Sequence, residues 1–284
     1  ALTSAKAEAA NYPFCTIDPN VGVVQVPDPR LDKIAKIVGP QKVIPTTMEF
    51  LDIAGLVEGA SKGEGLGNQF LGHIRSTDAI VHVVRCFEDP NIIHVTGSVN
   101  PERDMDVINT ELMLADLESV EKKYTRIEKA ARVSTDPKQK AEVAAVKKLL
   151  DALQAGRPAR TVALTDEEKV YTNDLHLITS KPVLYLANVD EKGVKEKNDL
   201  VKRVEARAKE EHAEVAIICG AIEAEIAQLP PEDRTEFLKE MGLEEPGLNK
   251  LIRSAYKLLD LVTYFTAGVQ EVRAWTIHKG WKAP

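Results

Sequence analysis

Short apolar runs separated by stretches of helical composition constrain this chain more than any other feature. Residues 48–54, 79–86, 182–189 and 214–221 are rich in Val, Ile and Leu, as strands covered on both faces are. GVVQVPD at 22–28 is a less continuous run and reads as an edge strand. Residues 68–75, 195–211 and 248–261 read as helices. Strand and helix in alternation predict an α/β fold with a largely parallel sheet. A chain of 284 residues suffices for one large domain or two smaller ones.

Residues 104–154 break the alternation. They hold little Gly or Pro and much Ala, Glu, Lys and Leu. Val107, Leu112, Leu114, Leu117, Val120, Tyr124 and Ile127 recur at near-helical spacing, STDP at 134–137 supplies a turn and an N-cap, and a second helical run ends at Gly156. The pattern predicts an antiparallel helical hairpin inserted into the sheet domain. Around its turn, residues 121–150 carry Lys122, Lys123, Arg126, Lys129, Arg132, Lys138, Lys140, Lys147 and Lys148 against Glu121, Glu128, Asp136 and Glu142. That face is either simply solvated or a basic prong that touches RNA or an acidic partner.

Bulk charge narrows the function classes. A formal net charge of −7 argues against a wholesale nucleic-acid binder, while leaving room for a local basic surface. Cys15, Cys86 and Cys219 are far apart without metal-ligand spacing and fit a reduced, cytoplasmic protein. No run approaches the length of a membrane span, and no basic-then-apolar leader opens the chain. Residues 1–10 have helical composition without a cap, and the strand-like run at the other end stops abruptly, so both ends read as cut.

Candidate chemistry sits at strand ends. Asp52-Ile53-Ala54-Gly55 closes the first of the four runs, and Gly59, Gly63, Gly65 and Gly67 follow. In phosphate-handling α/β proteins an Asp there can hold Mg²⁺ through water, and a Gly N–H can meet a terminal phosphate. An Asp and a Gly after a strand also serve ordinary turns. Upstream, Thr16 lies in the irregular stretch NYPFCTIDPN, where a hydroxyl can ligate Mg²⁺. Asn188-Val189-Asp190-Glu191 ends another run; an Asn there can tie loops together and an acid can face a purine edge. Cys219-Gly220-Ala221 ends the last run, with backbone N–H groups and small side chains that can approach a base. Together these strand ends describe a nucleotide site.

The chain resembles the Obg-like ATPases, the YchF family of the translation-factor-related P-loop GTPases. The segments that carry the resemblance are NYPFCTIDPNVGVV, PTTMEFLDIAGLVEGASKGEGLGNQFL, DAIVHVVRCFEDPNIIHV, LEEPGLNKLIR and TYFTAGVQEVRAWTI, and it runs over essentially the whole chain. It implies a mostly parallel P-loop NTPase-type sheet with an inserted helical hairpin and the start of a β-grasp-like TGS domain. The implied divisions are 1–100 and 176–262 for the nucleotide-binding domain, 101–175 for the hairpin and 263–284 for the TGS opening. It implies Thr16 as a direct Mg²⁺ ligand and Asp52 as one through water. Asp52 and Gly55 become the switch II pair, Asn188, Val189 and Glu191 the base-recognition segment, and Cys219, Gly220 and Ala221 the base-flanking loop. ATP as substrate and the ribosome as partner are further implications.

Two departures from ordinary GTPases carry chemical content. Glu191 stands where a guanine-specific Asp is usual and Val189 where a Lys is usual. Adenine has no 2-amino group and its N1 is an acceptor, so loss of the carboxylate clamp favours ATP over GTP, although Asp190 offers a neighbouring carboxylate. Leu56 stands where Ras-like enzymes place a water-orienting Gln. Hydrolysis is therefore expected to be slow; Asn68, Gln69 and His73 are nearby polar groups, each more ordinary as helix surface or packing. No G-x-x-x-x-G-K-[ST] occurs in these residues, which predicts an internal portion of a longer ATPase. A GTPase of the same class, or a non-catalytic ribosome- or RNA-binding adaptor, are the alternatives. Oxidation of Cys15 or Cys219 could disturb binding, whereas space-filling is the ordinary role of such thiols.

Overall fold

A computed structural model describes residues 20–53, 66–94 and 97–282. Its strands are β1 (Asn20–Gln25), β2 (Lys42–Ile44), β3 (Thr47–Asp52), β4 (Ile80–Arg85), β5 (Val183–Asn188), β6 (Glu214–Ile218), β7 (Leu261–Ala267) and β8 (Glu271–His278). The helices are α1 (Pro29–Val38), α2 (Leu66–Arg75), α3 (Pro101–Arg132), α4 (Pro137–Gln154), α5 (Asp166–Thr172), α6 (Glu191–Lys195), α7 (Asp199–Glu210), α8 (Gly220–Gln228), α9 (Pro231–Glu240) and α10 (Gly247–Leu258).

β4, β5 and β6 form a parallel sheet in that order. β5 is its centre, and Val183–Ala187 are all buried because helices cover both faces. Tyr185 and Ala187 point into a core with Met105 of α3, Val201 and Val204 of α7 and Ile222 of α8. Leu184 and Leu186 point the other way, onto Leu251 of α10. This is the period-2 division of a doubly covered strand.

The run at 48–54 behaves differently from the expectation of a strand within that sheet. β3 pairs antiparallel with β1, Asn20 opposite Asp52 and Gln25 opposite Thr47. The alternation in β1 explains its edge character: Val24 is buried while Val21 and Val23 are exposed. The run at 214–221 is also shorter as a strand than expected, since Gly220 already opens α8.

α1, β2, α5, α6, α8 and α9 lie outside the elements read from the sequence. α1 carries ordinary terminal signals: Asp28 caps it by accepting from Arg30 N, Pro29 is its first residue, and Gly39 closes it at φ 62°. Its Leu31 packs on Val272 and Ala274 of β8 and Phe265 of β7. β2 runs parallel to β8, which pairs antiparallel with β7. The C-terminal hairpin is thereby joined to an element from the first part of the chain.

The helical hairpin forms as expected. Asp136 caps α4 through Lys138 N, and Gly156 follows its end at φ 69°. Val120, Val146, Leu149, Leu150 and Leu153 form its seam, with Leu117, Tyr124 and Ile127 beside them. Leu114, expected on the apolar stripe, is 37% exposed. Three charged residues of α3, Glu111, Asp116 and Lys123, are buried. Lys123 donates to Asp174 Oδ1 and Tyr171 O, both at 2.6 Å, and lies 3.3 Å from Glu142. Asp116, with no exposed surface, accepts from Ile178 N (2.9 Å), Thr179 N (2.7 Å) and Thr179 Oγ1 (2.7 Å).

A polar network holds the base of α3 to the sheet. Tyr185 donates to Glu211 Oε2 at 2.6 Å and accepts from Asn109 Nδ2 at 3.3 Å. Burial pushes the Tyr185 phenol up to about 12. Arg207 bridges Glu211 and Asp106, and Arg203 bonds Glu102 and Asn100.

His82 of β4 lies with its ring 5.6 Å from that of Tyr185. Burial pushes its imidazole from 6.5 down to about 4, against the opposing influence of Glu211 and Asp104. The unfolded chain therefore takes up this proton at a higher pH than the folded chain. The stability contributed is whole above 6.5 and is lost as pH falls from 6.5 towards 4. Moving from about pH 7 to about pH 5 should cost about 2 kcal/mol through this group. Urea titrations at both values should show His82→Gln losing less stability than the parent; an equal loss would remove His82 as the cause.

Candidate nucleotide site

β4, β5 and β6 end on the same edge of the parallel sheet, the edge where ligands of open α/β sheets bind. Backbone bonds lock the three ends together. Cys86 N donates to Asn188 O at 2.7 Å, and Val189 N donates to Ile218 O at 2.8 Å. Asn198 adds a side-chain tie by donating to Cys86 O at 2.7 Å while capping α7 through Val201 N.

Asn188 performs the loop-tying role expected of it. Its Oδ1 accepts from Gly220 N at 3.0 Å, joining the end of β5 to the start of α8. A Cβ at position 220 would lie 3.4 Å from that oxygen, an ordinary contact, so the tie itself does not demand glycine. Cys219 precedes the helix and is buried, while Ala221 is exposed on its first turn.

Val189 is 2% exposed and packs in the core beside β5, so its side chain does not face a ligand. Asp190 caps α6, its Oδ1 accepting from Gly193 N at 2.8 Å. A side chain on Gly193 would put its Cβ 2.7 Å from Val189 Cβ, closer than carbon atoms pack. Glu191, the first residue of α6, is exposed, and among the described residues its carboxylate has no hydrogen bond or ion pair. Of the two adjacent acids, Asp190 has one oxygen tied to α6, and Glu191 has no such tie among the described residues.

Glu223 was not legible as part of this region. It is 4% exposed and caps α10, accepting from Gly247 N at 2.7 Å and Leu248 N at 3.2 Å. Burial raises its carboxyl above the usual range, against those two donors. A glutamate three residues into a helix gives no local signal of a partner more than twenty residues away.

Asp52 stands exposed at the end of β3, opposite Asn20, with no hydrogen bond or ion pair from its side chain among the described residues. Thr16, Gly55 and Leu56 lie outside the described residues, as does Cys15. Among the described residues no group of three His, Cys, Asp or Glu could hold a metal ion. A hard cation such as Mg²⁺ uses one or two protein oxygens together with phosphate and water, which a free carboxylate at a strand end suits.

The basic region of the hairpin is smaller than its composition. Lys122 pairs with Glu118, Arg132 with Glu128, Lys147 with Asp151 and Lys148 with Glu168, and Lys123 is buried. Arg126, Lys129, Lys138 and Lys140 are exposed without an ion pair among the described residues. Lys122, Arg126 and Lys129 share one face of α3 with Glu121 and Thr125, lining a shallow groove.

Comparison with known proteins gives consistent matches. A family described as 50S ribosome-binding GTPase matches residues 1–188. The ribosome-binding ATPase YchF of Escherichia coli O157:H7 is 57% identical over 284 residues, which cover 100% of this chain and 78% of that protein. The protein of the same name from Bacillus subtilis (strain 168) is 54% identical over 286 residues, with the same coverage. The solved structure of the Schizosaccharomyces pombe YchF GTPase superposes with a TM-score of 0.82 at 38% identity, covering 96% of this chain and 74% of that one.

Proposed function

Because the chain belongs to the YchF family of ribosome-binding ATPases, we propose that it binds ATP, hydrolyses it slowly, and acts on the ribosome as a nucleotide-dependent switch. The observation that carries the choice of base is the division between Asp190 and Glu191. Asp190 has one carboxylate oxygen, Oδ1, tied to the start of α6 by Gly193 N at 2.8 Å. Glu191, longer by one methylene than the guanine-selective Asp, is exposed after β5 with no hydrogen bond or ion pair among the described residues. Asn188 and Gly220 hold the flanking loops in register.

Mg²⁺ would be held by Thr16 directly and by Asp52 through water, neutralising charge on the terminal phosphates. Gly55 would offer its N–H to the γ-phosphate. Val189 contributes through the backbone and its packing, and Cys219, Gly220 and Ala221 flank the base. Leu56 cannot polarise water, which makes unaided hydrolysis slow. The exposed cations Arg126, Lys129, Lys138 and Lys140 suit RNA phosphates of the ribosomal partner. Among the described residues no helix is long and apolar enough to cross a membrane.

The fission-yeast relative is called a GTPase, which favours a second reading, guanine binding with Glu191 tolerated. Titration of the complete protein with labelled ATP and GTP separates the two. Tighter ATP binding is expected; tighter GTP binding would overturn the adenine assignment while leaving a switch nucleotidase.

A further inference from the structure

The end of α2 is fixed to the helical hairpin through one guanidinium. Arg75, the last residue of α2, donates through Nη2 to Ala115 O (3.3 Å) and Ser119 Oγ (3.1 Å) on α3. Its Nη1 donates to Leu175 O and His176 O, both at 3.3 Å, in the segment that leads towards β5. The same group lies 3.8 Å from Asp116 Oδ1, and Asp116 in turn holds Ile178 and Thr179. Lys181 completes the joint by donating to Arg75 O and Thr77 O.

An apolar cluster lies beneath these bonds. Leu71 and Ile74 of α2 pack with Leu112 and Ala115 of α3 and with Ile178, and Ile53 packs against the same group. Ile53 is the residue next to Asp52. A continuous packed path therefore runs from the proposed phosphate-sensing position, through α2, into the middle of α3. The planar fork of Arg75 satisfies four acceptors on two separate segments at once, more than the three donors of a lysine ammonium can serve.

We propose that Arg75 is a positioning residue that makes α2 and the α3–α4 hairpin move as one body. The nucleotide state read at Asp52 then sets the orientation in which the hairpin meets its ribosomal partner. The proposal rests on the reading of Asp52 as part of the phosphate-sensing strand end. Its physical basis is that packed elements shift between discrete arrangements, and a tie of several bonds transmits a shift that apolar contact alone lets slip.

The test uses the complete protein, hydrogen exchange with and without Mg²⁺ and a non-hydrolysable ATP analogue, and ribosome binding in the analogue and ADP states. In the parent, the analogue should change exchange in residues 66–75 and in residues 108–119. In Arg75→Ala the change at 108–119 should be lost, and the ratio of ribosome affinities between the two states should fall by about two- to thirtyfold. Affinity for the analogue should stay within about twofold, because Arg75 is not placed at the nucleotide. Arg75→Lys keeps the charge beside Asp116 without the fork and should lose the coupling likewise, giving a readable result if the alanine variant does not fold.

A merely structural role predicts reduced thermal stability with the nucleotide-dependent change at 108–119 intact, and that result overturns the assignment. A parent protein whose residues 66–75 do not respond to the analogue overturns the reading of Asp52 itself, and the coupling with it.

Discussion

Replacing Asp52 by Ala in the complete protein is expected to slow ATP hydrolysis by about 10²- to 10³-fold, the usual cost of deleting one preorganised electrostatic contact in a phosphoryl-transfer site. The carboxylate is exposed and without a hydrogen bond or ion pair among the described residues, so no contact with those residues is lost with it. Stability should therefore stay within about 0.5 kcal/mol, as for surface substitutions away from structural features. Raising Mg²⁺ should recover part of the rate, because the deficit lies in holding the ion. A single-turnover assay across a Mg²⁺ series, with thermal unfolding as the control, reads both effects. Undiminished hydrolysis at low Mg²⁺ would remove Asp52 from the site.

Replacing Asp116 by Ala is expected to lower stability by about 3–5 kcal/mol, through a different mechanism. The carboxylate is fully buried and satisfies three donors, Ile178 N, Thr179 N and Thr179 Oγ1. Ile178 and Thr179 are themselves buried, so water does not readily replace the missing acceptor. Burial pushes the Asp116 carboxyl above the usual range even against those three donors and the nearby Arg75 guanidinium. An isolated buried carboxylate would be costly, and its worth here lies in the donors it accepts from. Denaturant unfolding of the variant should show a lower midpoint at an unchanged slope. A loss below about 1 kcal/mol would mean that the site collapses and finds other acceptors.

Both substitutions act on residues whose importance has a different visibility in the sequence. Asp52 belongs to a D-x-x-G at a strand end, a local pattern that singles it out as a candidate once the other strand ends are read with it. Asp116 looks like any acid on a helix surface, because its partners are more than sixty residues away. The same contrast holds for Asp190 and Glu191. Adjacent in sequence and alike in charge, they part only when α6 forms and takes Asp190 for its cap.

The strands at 183–188 and 80–85, the helical hairpin with its Asp136 cap, and the amphipathic α10 were legible because their determinants are local: period, cap and turn chemistry. α1 carried equally local signals in Asp28, Pro29 and Gly39, and its small apolar face against the C-terminal hairpin hid it among polar residues. β2 had no legible signal. Three residues form a strand there because β8 offers its edge, and that edge comes from more than 220 positions further along the chain.

Local order, then, was written in the sequence: an α/β alternation, a helical hairpin, and candidate site residues at strand ends. Tertiary structure alone decided which charges are exposed and which are bound. Lys123 left the basic face for the interior, Val189 turned into the core, and Arg75 found acceptors on two segments at once. The reason is the range of the forces involved. Propensity and capping act within a turn or two of the chain, whereas burial and hydrogen-bond satisfaction depend on whatever the fold brings alongside.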